Sequence, residues 1–284
     1  MAGNTPLPTP PARALGGELR AAREAAKMSQ RELARRIAVD QSVLSRWEAG
    51  QRRPQPEDVE RYLAELDMPV EDRNRILDLA RQPDGATWLS VGTPEQPEQL
   101  AALLEFERTA ATITEVSMTV IPGLLQTGDY ARAIIGGGAV PANEVATRVA
   151  VRMGRREVLQ RTDPVGLRAL IGEAALQSMV GGAKVMAGQL RHLLAMADLP
   201  NVEIRIVPIA AGWHPGLPGA FTLYEFGAAS PIVYLEAGRS GLFLSEQPDV
   251  DVYQGFAGRV EEVALSREMS IECVAGLIDR MERT

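Results

Sequence analysis

Residues 29–50 read Ser29-Gln30-Arg31-Glu32-Leu33-Ala34-Arg35-Arg36-Ile37-Ala38-Val39-Asp40-Gln41-Ser42-Val43-Leu44-Ser45-Arg46-Trp47-Glu48-Ala49-Gly50, and this stretch decides the fold. Ser29 with Glu32 three residues on is a capping box, the signature of a helix start. Leu33, Ala34 and Ile37 then recur at helical spacing, and Ala34 is small where two helices must cross. Asp40 is a good N-cap for a second helix, whose Leu44 and Trp47 share a buried face. Gln41, Ser42, Ser45 and Arg46 are left on the outward face. Those side chains can meet base edges: Gln pairs with adenine, Arg with guanine, Ser with either. Glu48-Ala49-Gly50 closes the helix, Gly50 supplying the left-handed cap. Arg52 and Arg53 follow in a loop, placed for backbone phosphates.

Working outward, Leu15, Leu19, Ala22 and Ala26 line one face of a preceding helix, with Arg20, Arg23 and Lys27 elsewhere. Pro56, with Glu57 and Asp58 behind it, opens a fourth helix striped by Val59, Tyr62, Leu63 and Leu66. Residues 70–81 give a fifth, with Ile76, Leu77 and Ala80 inward. Residues 1–12 hold four prolines and read as a flexible tail. Residues 82–99, rich in Pro, Gly and small polar groups, read as a linker, with Trp88 and Leu89 as a docking contact. The expected organisation is therefore a tail at 1–12, an all-α five-helix domain at 13–81, a linker at 82–99 and a second domain at 100–284.

That second domain mixes periodicities. Helical spacing runs through 98–115, 128–135, 143–159, 181–197, 249–266 and 271–281. Shorter β-rich runs occupy 165–171, 202–207, 221–226, 232–235 and 241–245. An α/β or α+β domain follows, its strand order unreadable from the pattern.

The net charge of -7 hides an asymmetry. Residues 13–53 hold ten basic and five acidic side chains, whereas the rest of the chain holds 20 and 32. A basic module on an acidic body is the distribution that suits phosphate binding. No run of 18 apolar residues marks a membrane span, and the N-terminus lacks a secretory signal pattern. A single cysteine, Cys273, excludes an internal disulfide framework. A cytoplasmic, nucleoid-associated protein is expected.

The strings Met28-Ser29-Gln30-Arg31-Glu32-Leu33-Ala34, Gln41 to Gly50 and Arg52-Arg53-Pro54 resemble the XRE family of phage-repressor-like helix-turn-helix regulators. The resemblance implies a lambda-repressor-like five-helix fold and sequence-specific DNA binding, with transcription regulated by a homodimer on an operator. It places Gln41, Ser42 and Arg46 against bases and Gln30 in support of a phosphate contact. Ala38 departs from the pattern, since the family has Gly at this turn, where φ is often positive. A non-glycine residue there costs about 1–2 kcal/mol.

Further on, Ile121-Pro122-Gly123-Leu124-Leu125-Gln126-Thr127-Gly128-Asp129-Tyr130-Ala131-Arg132, Gly172-Glu173-Ala174-Ala175-Leu176 and 201–208 resemble a domain that recurs in actinobacterial XRE regulators. Gly219-Ala220-Phe221 and Val233-Tyr234-Leu235-Glu236 extend the likeness. That domain is labelled antitoxin-like, and its genes often neighbour one for a small partner protein. It implies a regulatory half that dimerises, binds a small partner protein or senses a small-molecule effector. The alternative reading is an antitoxin-like interaction module that binds DNA for autoregulation.

Chemistry is sparse in this half. His192 sits in a helical run and His214 in the rigid loop Gly212-Trp213-His214-Pro215-Gly216. Two histidines and one cysteine give no metal-ligand spacing, and neither a nucleophile elbow nor a phosphate-binding glycine loop is present. No enzyme activity, cofactor or metal is expected. For Ile121 to Arg132 two readings stand: a strand-to-helix turn packed under a sheet, or a pocket or partner surface lined by Leu124, Leu125, Gln126 and Tyr130.

Overall fold

Thr9 fixes where the chain first becomes helical. In the computed structural model, which describes residues 8–85, 87–91, 97–138, 140–227, 229–237 and 240–282, its hydroxyl accepts the Ala12 N–H at 3.3 Å. Pro10 and Pro11 follow at the first helical positions, where no N–H is needed. Helix α1 (Pro10–Ala25) therefore cuts into the expected tail. Residues 1–7 lie outside the described residues.

Two compact units divide the chain, Met1–Thr109 with Ala228–Ile232 and Ala237–Gln247, and Ala110–Gly227 with Val233–Glu236 and Pro248–Thr284. In the first unit α1 is followed by α2 (Gln30–Arg36), α3 (Gln41–Glu48), α4 (Pro56–Ala64) and α5 (Val70–Arg81). The sequence places all five. Leu15, Leu19, Leu33, Leu44, Trp47, Val59, Tyr62, Leu63 and Ile76 are buried together, as the apolar spacing requires.

The stretch read as a linker is more ordered than its composition suggests. It carries strand β1 (Thr87–Val91) and the first residues of helix α6 (Pro97–Thr109), while 92–96 lie outside the described residues. Trp88 is buried and stacks on Phe243 with ring centroids 5.0 Å apart, and Phe243 meets Phe106 edge-on at 5.5 Å. Aromatic pairs of this kind hold a short strand that propensity alone would not. Leu89, expected to dock beside Trp88, is exposed. Helix α6 lies along α1: Arg20 pairs with Glu105, and the Arg13 guanidinium sits 5.1 Å from the Phe106 ring centre and donates to Thr109 Oγ1 at 2.9 Å.

In the second unit β2 (Thr112–Ser117), helices α7 (Gly128–Gly137) and α8 (Ala142–Arg155), β3 (Gly166–Gly172), the short α9 (Glu173–Gln177), α10 (Ala183–Ala197) and β4 (Val202–Val207) succeed one another. β2 pairs parallel with β3 and β3 with β4, the helices supplying the long crossovers that parallel pairing needs. β5 (Phe221–Glu225) then pairs antiparallel with β2, and β6 (Ile232–Ala237) precedes β7 (Ser240–Leu244). β7 belongs to the first unit, where it pairs antiparallel with β1 from Thr87↔Leu244 to Val91↔Ser240. Strand order is β6-β5-β2-β3-β4 in the second unit. The mixed parallel and antiparallel pairing makes it an α/β domain after an all-α helical region.

Helices α11 (Gln247–Val263) and α12 (Arg267–Glu282) end the chain. Their connection covers the edge of β4: Leu265 N–H donates to the Ile206 carbonyl at 2.8 Å, and Ile206 N–H donates to Ser270 Oγ at 2.9 Å. An edge capped this way no longer offers a free ladder to another chain.

Two sequence expectations change here. The helix expected to run to 115 stops at Thr109, and residues 112–117 are strand β2. Thr112, Ile113, Thr114 and Val116 are β-branched, which disfavours a helix and suits a packed strand. The candidate partner or pocket surface at Leu124, Leu125, Gln126 and Tyr130 is instead interior, with every one of the four at most 2% exposed. Gln189 from α10 explains the burial. Its Nε2 donates to the Leu125 carbonyl at 2.7 Å and its Oε1 accepts the Thr127 N–H at 2.7 Å. Gln126 Nε2 donates to the Ile121 carbonyl at 2.8 Å, and the Tyr130 hydroxyl accepts the Ile121 N–H at 3.2 Å. With its backbone groups answered by buried side chains, the turn packs as structure.

Candidate nucleic-acid interface

Helix-turn-helix geometry depends on how sharply each helix ends, and α1, α2 and α3 all end in the same way. At each C-terminus two N–H groups fold back onto the last turn: Lys27 to Glu24 and Met28 to Arg23, Ala38 to Arg35 and Val39 to Ala34, Gly50 to Trp47 and Gln51 to Arg46. This paired pattern is the Schellman motif, and it requires one left-handed residue. Lys27 (φ 54°), Ala38 (φ 56°) and Gly50 (φ 67°) occupy that position. Only the third is glycine. The positive φ expected at Ala38 is present, whereas that at Lys27 has no signal in the sequence. Ala38→Gly is therefore expected to raise the stability of the first unit by about 1 kcal/mol, since relief of the left-handed strain exceeds the added unfolded-state entropy. Chemical denaturation of the full chain followed by hydrogen exchange in α2 and α3 checks this.

Helices α2 and α3 are both capped. Ser29 Oγ accepts the Glu32 N–H at 3.2 Å. Glu32 turns to Arg36 at 2.6 Å instead of reaching back to Ser29. Asp40 accepts the Ser42 N–H at 2.7 Å, and hydrogen bonds from the Ser42 side chain and backbone hold its carboxyl below the ordinary aspartate value. On α3, Leu44 and Trp47 are buried while Gln41, Ser42 and Arg46 are exposed and Ser45 is half-exposed. Arg46 Nε donates to the Ser42 carbonyl at 3.1 Å, which lays its stem along the helix surface.

Beneath this face lies a charged pair that the sequence reading did not find. Arg23 Nε and Nη2 donate to Glu48 Oε1 and Oε2 at 2.7 and 2.8 Å, and Arg23 Nη1 donates to the Met28 carbonyl at 2.9 Å. Gln30 Nε2 donates to Glu48 Oε2 at 2.9 Å. Tyr62 Oη lies 2.7 Å from Glu48 Oε1 and 2.8 Å from the Leu19 carbonyl, both acceptors for its one proton. Burial pushes the Glu48 carboxyl up, but hydrogen bonds from Arg23, Gln30 and Tyr62 outweigh it and hold the group below its ordinary value. Four helices thus meet at one carboxylate. A signal existed: Arg23 continues the buried Leu15–Leu19 spacing, and Glu48 continues that of Leu44 and Trp47. Two opposite charges on two apolar stripes mark a buried pair.

Of the candidate phosphate contacts, Gln30 is half-buried with its amide on Glu48, and Arg52 is exposed. Arg53 is turned inward, contrary to expectation. Its Nη2 donates to the carbonyls of Leu79, Ala80 and Gln82 at 2.8, 3.3 and 2.9 Å, and its Nη1 pairs with Asp84 at 3.4 Å. A cation at the carbonyl end of α5 meets both orphan acceptors and the helix dipole. Arg53→Ala is accordingly expected to lower stability by about 1–2 kcal/mol and to leave the salt dependence of DNA binding unchanged. A denaturation curve and a salt titration of binding check the two halves. Arg31 and Arg35, not singled out from sequence, are exposed, and among the described residues their side chains carry no hydrogen bond or ion pair.

In the second unit His192 is half-buried, and His214 is buried with no partner for its Nδ1. Cys273 is a half-buried free thiol whose pKa burial pushes up. Among the described residues no three His, Cys, Asp or Glu side chains cluster as metal ligands, and no helix is long and apolar enough to cross a membrane.

Two known families match the chain. A family described as "Helix-turn-helix domain" matches residues 14–76, which take in most of α1, all of α2 to α4 and the first half of α5. A second, described as "Domain of unknown function (DUF5753)", matches residues 100–276, more than half of the chain. No curated protein and no solved structure matches. The chain belongs to the DUF5753 family and carries a helix-turn-helix domain ahead of the region that defines it.

Proposed function

We propose that this protein is a sequence-specific DNA-binding transcriptional regulator of the XRE type, reading the major groove through α3 under the control of its second unit. One observation carries the reading: α3 buries Leu44 and Trp47 while turning Gln41, Ser42, Ser45 and Arg46 outward. An apolar face anchored on α1 and a short polar face free of it is what a recognition helix needs. Arg52 is the loop residue suited to phosphate, and Gln30 supports the phosphate end of α2 through Glu48. The excess of basic over acidic residues in 13–53 supplies the attraction that is independent of sequence. A homodimer with two-fold symmetry would set two such helices about 34–36 Å apart on one DNA face. The second unit is the regulatory half, available to an effector or a small partner protein, and the protein acts in the cytoplasm on the nucleoid.

Arg46→Ala tests the assignment. It is expected to weaken binding to a selected operator by about 1–3 kcal/mol and to relax one base position in each half-site. Binding to random DNA of equal length should fall far less. Fluorescence anisotropy on both duplexes at one salt concentration reads the difference, and equal losses would remove Arg46 from the base contacts.

A further inference from the structure

The second unit contains a row of three arginines, one of which, Arg156, has no carboxylate partner among the described residues. Arg148, Arg152 and Arg156 lie four residues apart along α8 and its C-cap, so they share one face. Arg148 is answered by Glu144 at 2.7 Å. Arg152 Nη1 donates to Gln126 Oε1 at 3.0 Å. Arg156 is different. Its Nη2 lies 2.8 Å from His192 Nε2 on α10, its Nη1 lies 3.7 Å from Met153 Sδ, and its Nε is buried without a hydrogen-bond partner.

No carboxylate among the described residues reaches the Arg156 guanidinium. Such a group stays charged at any physiological pH, and a half-buried charge is costly unless a counter-charge and hydrogen bonds answer it. Burial already pushes its pKa down. Burial, with the charge of Arg156 beside it, pushes His192 down to about 4, so the imidazole is neutral and offers one lone pair. A single ring nitrogen is a poor acceptor for a fork of N–H groups that matches a carboxylate or phosphate edge. Both side chains remain half-exposed, so the cluster is reachable from solvent.

We propose that Arg156 and His192 form a binding site for a small oxyanion, the phosphate or carboxylate group of a metabolite, with Arg152 as the neighbouring cation one turn away. The anion completes the hydrogen bonding of Arg156 and supplies the counter-charge that Arg156 lacks. The inference stands apart from the DNA reading, because it concerns residues of the second unit alone.

The chain has only two histidines, so proton NMR of their ring signals is a direct test. The full-length protein is titrated at pH 7 with sulfate and, separately, with acetate, at an ionic strength held constant with chloride. His192→Asn assigns the signal. The expected result is a saturable shift of the His192 ring protons with at least one anion while His214 stays still, and no such shift in Arg156→Gln. Saturation by sulfate points to a phosphate ligand, and saturation by acetate to a carboxylate. If Arg156→Gln does not fold, Arg156→Lys, which keeps the charge but loses the fork, is expected to weaken saturation by about tenfold. No saturation with either anion, or the same saturation in the Arg156 variant, overturns the proposal.

Discussion

Glu48→Ala is expected to lower the stability of the first unit by about 3–5 kcal/mol, the cost of leaving a buried charge without its partner. Arg23 keeps its guanidinium at the junction with the Met28 carbonyl and the exposed Glu24 carboxylate, 3.5 Å away, left to answer it. Gln30 loses its acceptor and Tyr62 loses one of two. The substitution therefore removes four hydrogen bonds at one point, and the first unit is expected to lose its cooperative fold near body temperature. Hydrogen exchange resolved to α1, α3 and α4 in the full chain reads the loss where it occurs. The double variant Arg23→Met, Glu48→Leu should recover much of it, because a buried pair can often be replaced by apolar residues of similar volume.

Glu48 also sets a pH dependence of known sign. Its folded pKa lies below the ordinary glutamate value. Its contribution is then complete above the unfolded pKa, about 4.3, and is lost as pH falls through the folded value. Glu48→Gln should remove that part of the acid sensitivity of the first unit.

Gly16→Ala is the second large effect, and here two physical effects oppose each other. Helix propensity favours Ala over Gly by about 0.5–1 kcal/mol in a helix interior. Packing opposes it more strongly. A Cβ at Gly16 would lie 2.6 Å from the Trp47 carbonyl oxygen, 2.8 Å from that of Glu48 and 2.8 Å from the Gly50 nitrogen. All three are backbone atoms at the end of α3 and cannot rotate aside. Overpacking of this kind costs about 1–3 kcal/mol and sometimes more, so packing decides the sign. A net loss of about 2–3 kcal/mol is expected, with the end of α3 displaced from α1. Gly188 in α10 is the internal control, since no atom beyond its chain neighbours and its own helix backbone lies within 4 Å of its Cβ position. Gly188→Ala is expected to gain what Gly16→Ala loses in sign. If both glycines respond alike, the close approach of α1 and α3 is not what holds α3 in place.

What the sequence revealed follows from how local each signal is. The boundaries of α3 were legible because Asp40 and Gly50 are cap residues whose chemistry acts within two or three positions. The inward and outward faces of α3 followed from a spacing of three. The Arg23–Glu48 pair joins residues 25 apart, and only the coincidence of their positions on two apolar stripes could have betrayed it. Arg53 looked like a loop cation because nothing near it in sequence is a partner, whereas the carbonyl ends it caps lie 26 to 29 residues on. β1 was missed because Trp88 finds its support in Phe243, far along the chain. The Ile121 to Tyr130 turn could not be decided from its own residues, since Gln189 supplies the groups that bury it. Arg156 and His192 were likewise unremarkable alone. Their meeting is a property of the fold.

The central claim, that α3 reads DNA sequence, is tested most directly by selecting binding sites for the full chain from random duplexes and repeating the selection with Arg46→Ala. The predicted result is an enriched two-fold-symmetric site whose half-sites lie about 34–36 Å apart, with Arg46→Ala losing preference at one base pair of each half. Failure to enrich any site, or enrichment of the same site with undiminished preference by the variant, would contradict the account.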